Sequence, residues 1–231
     1  MVEIGPGLGA LTQPLTERVR HLHAVEIDRD VVAQLRNRFS PERLTVHQAD
    51  ALDFDFASLG PRLRIVGNLP YNISSPLLFR VGSAREVVDC HFMLQKEVVD
   101  RMAAAPGSKT YGRLSVMIQY RFQVEKLFNV APGAFRPPPK VESAFVRLVP
   151  HPSLPLTRVD EQLMSRIVAG AFSQRRKTLR NALAAYTHEA ELSALGIDAR
   201  LRPEDVAVEA YVRLAQFVAE RSRSQAAEAR S

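Results

Sequence analysis

Only one cysteine, Cys90, occurs in the 231 residues, so no disulfide can form within the chain. It lies in the apolar run Val87-Val88-Asp89-Cys90-His91-Phe92-Met93-Leu94, the setting of a buried structural thiol. No apolar run approaches the roughly 18 residues that would span a bilayer. The first residues lack the basic start and long apolar stretch of a signal peptide. Together these absences indicate a cytoplasmic protein. Of the six histidines, His21 and His23 lie two apart near a strand, but no third ligand stands at metal spacing, so packing is their expected role and no metal is expected.

What is present is ordinary for a globular chain: 46% hydrophobic and 24% charged residues, with length enough for one large domain and a small one. Lysine and arginine outnumber the acids 31 to 25, and the pI is about 9.8. That balance suits a polyanionic partner. It equally suits a soluble protein that happens to be basic, so the distribution of charge has to decide.

Strand and helix alternate from the first residue. Met1–Ile4 runs into Gly5-Pro6-Gly7-Leu8-Gly9, and a helix follows with Leu11, Leu15 and Val19 at helical spacing. Strands are expected at 22–27, 44–48, 63–67 and 87–94, with helices at 29–39 and 75–81 between them. The order implies an α/β, Rossmann-like, mostly parallel sheet covered on both faces. After Gln95, helices are expected at 97–105 and 114–120, then strands at 122–130 and 143–149 around the proline-rich 131–141, a late antiparallel edge pair. Pro150-His151-Pro152 with Pro155 marks a linker. Beyond it the periodicity is helical, with stripes Met164/Val168/Phe172 and Leu179/Leu183, a break near Ser173-Gln174, and Pro203 in the first turn of a last helix carrying Val208, Tyr211, Leu214 and Val218. The expected organisation is a catalytic domain over 1–150, a linker over 151–157, a small all-helical domain over 158–221 and a disordered tail over 222–231.

Chemistry concentrates at strand ends. Gly5 and Gly7 let backbone approach a ligand, Glu26 ends the second strand where it can accept from ribose hydroxyls, and Asp50 follows the third strand. Gly5, Gly7 and Ala10 also satisfy the looser dinucleotide fingerprint, so a nicotinamide enzyme is a rival at this point. The fourth strand separates the two. Asn68-Leu69-Pro70-Tyr71 offers an amide, a carbonyl aimed by proline and an aromatic ring, the parts needed to grip the exocyclic amine of a flat base. An adenine N6 lone pair is delocalised into the ring. Hydrogen bonds from N6–H to the Asn68 oxygen and the Leu69 carbonyl favour a more tetrahedral nitrogen, while Tyr71 stacks on the base. The plain alternative for these four residues is a strand-to-helix turn.

With these motifs on the page the chain resembles the KsgA family of small-subunit ribosomal RNA adenine N6,N6-dimethyltransferases. The resemblance is carried by Val2–Thr12, Asn68–Ser74, Phe135–Ser143 and Ser173–Asn181. It implies S-adenosylmethionine as methyl donor, held by Gly5, Glu26, Asp50 and Asn68, and a base handled by Asn68, Leu69 and Tyr71. It also implies two adjacent adenines in a hairpin loop near the 3′ end of the RNA, each methylated twice. Arg175, Arg176, Lys177 and Arg180 place four cations in six positions and are the expected RNA contacts, with Phe135 and Lys140 in the late loop. A solvated charged face is the bland alternative for the cations, and burial for Phe135. Family members carry a few dozen residues before the first strand, whereas Met1 falls inside it; a shortened donor pocket and weak donor binding are the expected consequence. A non-catalytic RNA-binding assembly factor, a large-subunit rRNA methyltransferase and a nucleotide-dependent oxidoreductase stand as the other readings.

Overall fold

Short β-branched and apolar runs bounded by glycine and acid form the strands, and a computed structural model shows how they pair. It describes residues 1–69, 74–136, 138–151, 160–174 and 177–228, apart from the side chains of Ser74, Ser75 and Ser83. The strands are Val2–Ile4 (β1), Leu22–Glu26 (β2), Leu44–Gln48 (β3), Leu63–Asn68 (β4), Val87–Gln95 (β5), Phe122–Val130 (β6) and Ser143–Pro150 (β7). Among the described residues they make one seven-stranded sheet in the order β3-β2-β1-β4-β5-β7-β6. β1 to β5 pair in parallel, and β7 runs antiparallel to both β5 and β6. The parallel sheet with a late antiparallel pair is the arrangement expected from the order of elements.

The chain divides into two compact units, Met1–Val99 with Phe122–Pro150, and Asp100–Arg121 with His151–Ser231. In the first, helices Thr12–Arg18 (α1) and Arg29–Arg38 (α2) cover β1 to β3. Leu22 and Ala24 of β2, Leu44 and Val46 of β3 and Val32 and Leu35 of α2 form a buried cluster, with Leu15 and Val19 packed against it. Asp28 starts α2 by accepting from the backbone of Asp30 and Val31. Ser74–Ser83 (α3) follows β4. Close approach of β1 and β4 depends on Gly67, where a Cβ would lie 2.6 Å from the Ile4 carbonyl oxygen.

The second unit departs from the expected boundary. Residues 100–121, placed by sequence in the first domain, cluster with the C-terminal residues. The chain enters this unit within Lys96–Met102 (α4) and continues through Arg113–Gln119 (α5), Glu161–Ala171 (α6), Leu179–Ala182 (α7), Glu189–Ala194 (α8) and Val208–Glu228 (α9). Long-range bonds explain the reassignment. Tyr111 Oη donates to the Val206 carbonyl at 2.9 Å, and the Gly107 amide donates to the Glu204 carbonyl at 2.7 Å. Pro203 does not start the last helix; it opens a separate 3-10 turn over Pro203–Asp205, pinned by Tyr211 Oη at 2.9 Å. Nor is 222–231 an unstructured tail throughout. α9 runs to Glu228, as its alanines, glutamate and arginine favour. Most of the expected linker falls outside the described residues.

Candidate active site

Parallel register brings the expected donor-binding residues to one edge. Ile4 stands beside Val25 on one side and Gly67 on the other, so Gly5, Glu26 and Asn68 emerge next to each other at the carboxyl ends of β1, β2 and β4. The Ala49 amide donates to the Glu26 carbonyl at 2.9 Å, extending the ladder to the start of the Asp50 turn. Open α/β sheets place ligands at this edge.

The glycine turn is built for close approach. Gly5, Gly7 and Gly9 have φ of +62°, +51° and +86°, a region that residues with a Cβ rarely enter. A Cβ at Gly5 or Gly7 would meet nothing within 4 Å, so the turn presents bare backbone toward open space. The Gly5 amide is held by the Val25 carbonyl at 3.0 Å.

Around the turn the acids are already oriented. Glu26 is half-buried, and its Oε1 accepts from the amides of Ile27 and Asp28 at 2.9 and 3.0 Å. That fold-back fixes the carboxylate without exhausting its lone pairs. Asp50 Oδ1 accepts from Leu52 N at 2.8 Å, and its carbonyl from Phe54 N at 2.9 Å. Asp50 therefore caps its own turn.

Sequence reasoning missed two apolar residues at this edge. Leu8, within the glycine turn, is 73% exposed, and Ile27, next to Glu26, is 66% exposed. Exposed aliphatic side chains beside a polar cradle suit the face of a planar base, and no periodicity could reveal them because each stands in a loop. Of the residues expected to bind the amine, Asn68 is exposed, while Leu69 is 2% exposed with its amide donating to the Met93 carbonyl at 3.2 Å. That bond ties the Leu69 backbone to β5. Tyr71 lies outside the described residues.

The expected RNA contacts fall in both units. Phe135 is half-buried and Lys140 exposed in the first. Lys177 and Arg180 are exposed in the second, at the turn before α7 and in α7 itself; Arg175 and Arg176 lie outside the described residues. Arg180 is not a free cation, because Glu189 meets it at 3.0 Å.

His21 and His23 are joined by His47. His23 Nδ1 and His47 Nε2 lie 3.1 Å apart, and His21 bonds the Glu42 carbonyl and Thr45 Oγ1, each at 2.9 Å. Burial first, then the neighbouring histidines and the N-terminal amine, lowers His23 to about 4. Among the described residues no group of three His, Cys, Asp or Glu is placed to hold a metal. Cys90 is fully buried, and burial first and Asp89 second push its thiol well above the ordinary range.

The ribosomal RNA adenine dimethylase family matches residues 1–220. The chain belongs to that family. It is 60% identical over 223 residues to the ribosomal RNA small subunit methyltransferase A of Aromatoleum aromaticum, covering 96% of this chain and 84% of the relative. In structure it is similar to a dimethyladenosine transferase from Plasmodium falciparum, with TM-score 0.81, 26% identity and coverage of 96% and 90%. The 23S rRNA methyltransferase ErmE is also similar, with TM-score 0.72, 26% identity and coverage of 94% and 89%. As a dimethylase family member the protein is an S-adenosylmethionine-dependent rRNA methyltransferase. The open glycine cradle with Glu26 alongside fits that donor.

Proposed function

We propose that the protein methylates N6 of two adjacent adenosines in a hairpin loop near the 3′ end of small-subunit rRNA, giving N6,N6-dimethyladenosine during ribosome biogenesis. The observation that carries this reading is the single edge on which Gly5, Glu26 and Asn68 stand together. Gly5 and Gly7 offer backbone to the donor, Glu26 accepts from its ribose hydroxyls, Asp50 stabilises the wall beside its base, and Leu8 and Ile27 flank that base. Bound there, the donor supplies a methyl group already activated on a cationic sulfonium, so no strong general base is needed.

The residues that act on the target do so by position. Asn68 Oδ1 and the Leu69 carbonyl accept from the N6 amine, drawing its lone pair out of conjugation, and Tyr71 stacks on the extruded base. The hydrogen bond from the Leu69 amide to the Met93 carbonyl ties the Asn68–Leu69 peptide, the one before that carbonyl, to β5. Arg175, Arg176, Lys177 and Arg180 meet RNA phosphates, with Phe135 and Lys140 as contacts from the late loop. The partner is the immature small subunit, in the cytoplasm; among the described residues no helix is long and apolar enough to cross a membrane.

Unmodified small subunits incubated with the protein and labelled donor should yield N6,N6-dimethyladenine. Asn68→Ala should lose that product by about a hundredfold or more with RNA binding retained, the scale of a misplaced reacting group. RNA binding by the parent chain with no product would instead identify a non-catalytic assembly factor.

A further inference from the structure

Burying a carboxyl is costly unless it is neutralised or hydrogen-bonded, and β1 buries one directly before the glycine turn. Glu3 is 1% exposed and shares the sheet face covered by α1, where Thr12 Oγ1 donates to its Oε2 at 2.7 Å. Thr12 is fully buried as well. The whole Gly5–Gly9 turn lies between these two residues, so their bond closes the turn at its base.

Among the described residues a hydroxyl rather than a cation meets this carboxyl. Burial pushes Glu3 up to about 7, against a smaller downward pull from the Thr12 bond. Charged residues lie on the neighbouring strands and on α2. Glu26 is the next residue on the same face of β2. Arg64 is the preceding one on β4 and is paired with Asp89 of β5 at 3.3 Å. Arg38 of α2 reaches across the turn to the Leu8 carbonyl at 3.0 Å and Gln13 Oε1 at 3.3 Å. The two arginines are thus engaged elsewhere, and a cation arriving on the turn would be the largest new influence on Glu3.

We propose that Glu3 is a positioning residue of the donor site, holding the glycine turn through Thr12 and giving up its proton when a cationic methyl donor settles on that turn. The proposal rests on the donor reading of the turn and Glu26. A nearby positive charge favours the ionised carboxylate. By linkage, the ionised form binds the donor more tightly, and affinity rises with pH through the neutral range.

Calorimetric titration of S-adenosylmethionine into the whole chain, at pH 6 and pH 8 and in buffers of different ionisation heat, tests this. Against Glu3→Gln, which removes the ligand's own titration from the comparison, the parent should bind about tenfold more weakly at pH 6 than at pH 8 and release extra protons near pH 7. Thr12→Val removes the downward pull on the carboxyl, so the midpoint of the profile should move to higher pH while circular dichroism reports an intact fold. Identical pH profiles and proton counts for parent and Glu3→Gln would overturn the proposal alone. Failure of the parent to bind at either pH would overturn the donor reading, and the proposal with it.

Discussion

At the residue scale, the glycines of this protein do two different jobs. Gly7 has φ +51° with open space beyond its missing Cβ, whereas at Gly67 a Cβ would strike the Ile4 carbonyl oxygen. Gly7→Ala should therefore lose about 1–2 kcal/mol to a left-handed backbone and also weaken donor binding, because its methyl enters the cradle. Gly67→Ala should lose about 1–3 kcal/mol by overpacking two strands whose backbones cannot both yield. Denaturant melts with a donor titration separate the two effects. Glu3 adds a pH-dependent contribution. Its folded-state value is raised to about 7 from 4.5, so the folded chain keeps a proton that the unfolded chain has lost between those values. Stability falls as pH rises through that window and levels off above it. Glu3→Gln should accordingly gain roughly 1–3 kcal/mol relative to the parent between pH 5 and pH 8 in denaturant melts.

At the scale of elements, α8 and α9 are joined by one polar knot. Arg221 Nη1 donates to both oxygens of Glu191 at 2.7 and 2.8 Å, and its Nη2 to the Tyr186 carbonyl at 2.6 Å. Thr187 Oγ1 and the His188 amide complete the set around Glu191. Arg221 first, then Thr187 and His188, hold the Glu191 carboxyl down to about 2. The lowered carboxyl contributes stability above its unfolded range that is lost as pH falls toward 2. Arg221→Ala should cost about 1–3 kcal/mol at pH 7, less than a fully buried pair because both groups are partly wet. The parent's advantage over Arg221→Ala should shrink below about pH 4, measured by urea melts. The start of α8 was hidden from sequence because histidine, not serine or aspartate, occupies its N-cap and pairs reciprocally with Glu191.

For the whole molecule, the +6 formal charge suits RNA but does not say which cations carry the contact. Lys177 is exposed at the turn before α7, whereas Arg180 is engaged by Glu189. Lys177→Ala should reduce the salt slope of RNA binding by about 1. Arg180→Ala should weaken binding more than its charge alone implies, because it unmasks the Glu189 carboxylate. Filter binding across a salt series checks both.

Sequence by itself determined the parallel sheet, the late edge pair and the glycine turn, because each rests on a local pattern. Buried strands are continuous apolar runs, and a Gly-Pro-Gly-Leu-Gly turn announces its left-handed backbone within five residues. Asn68-Leu69-Pro70-Tyr71 suggests the proposed amine grip for the same reason, and of these the described residues include Asn68, exposed, and Leu69, buried. Only the tertiary structure decided the rest. Residues 100–121 join the C-terminal unit through Tyr111 and Gly107, whose partners lie 95 and 97 residues away. Arg180 meets Glu189, Asp50 turns back on its own loop, and Glu3 is sealed beside Thr12. Burial and pairing arise from chain crossings that no window of sequence contains, and they set which of the visible charges are spent on the fold.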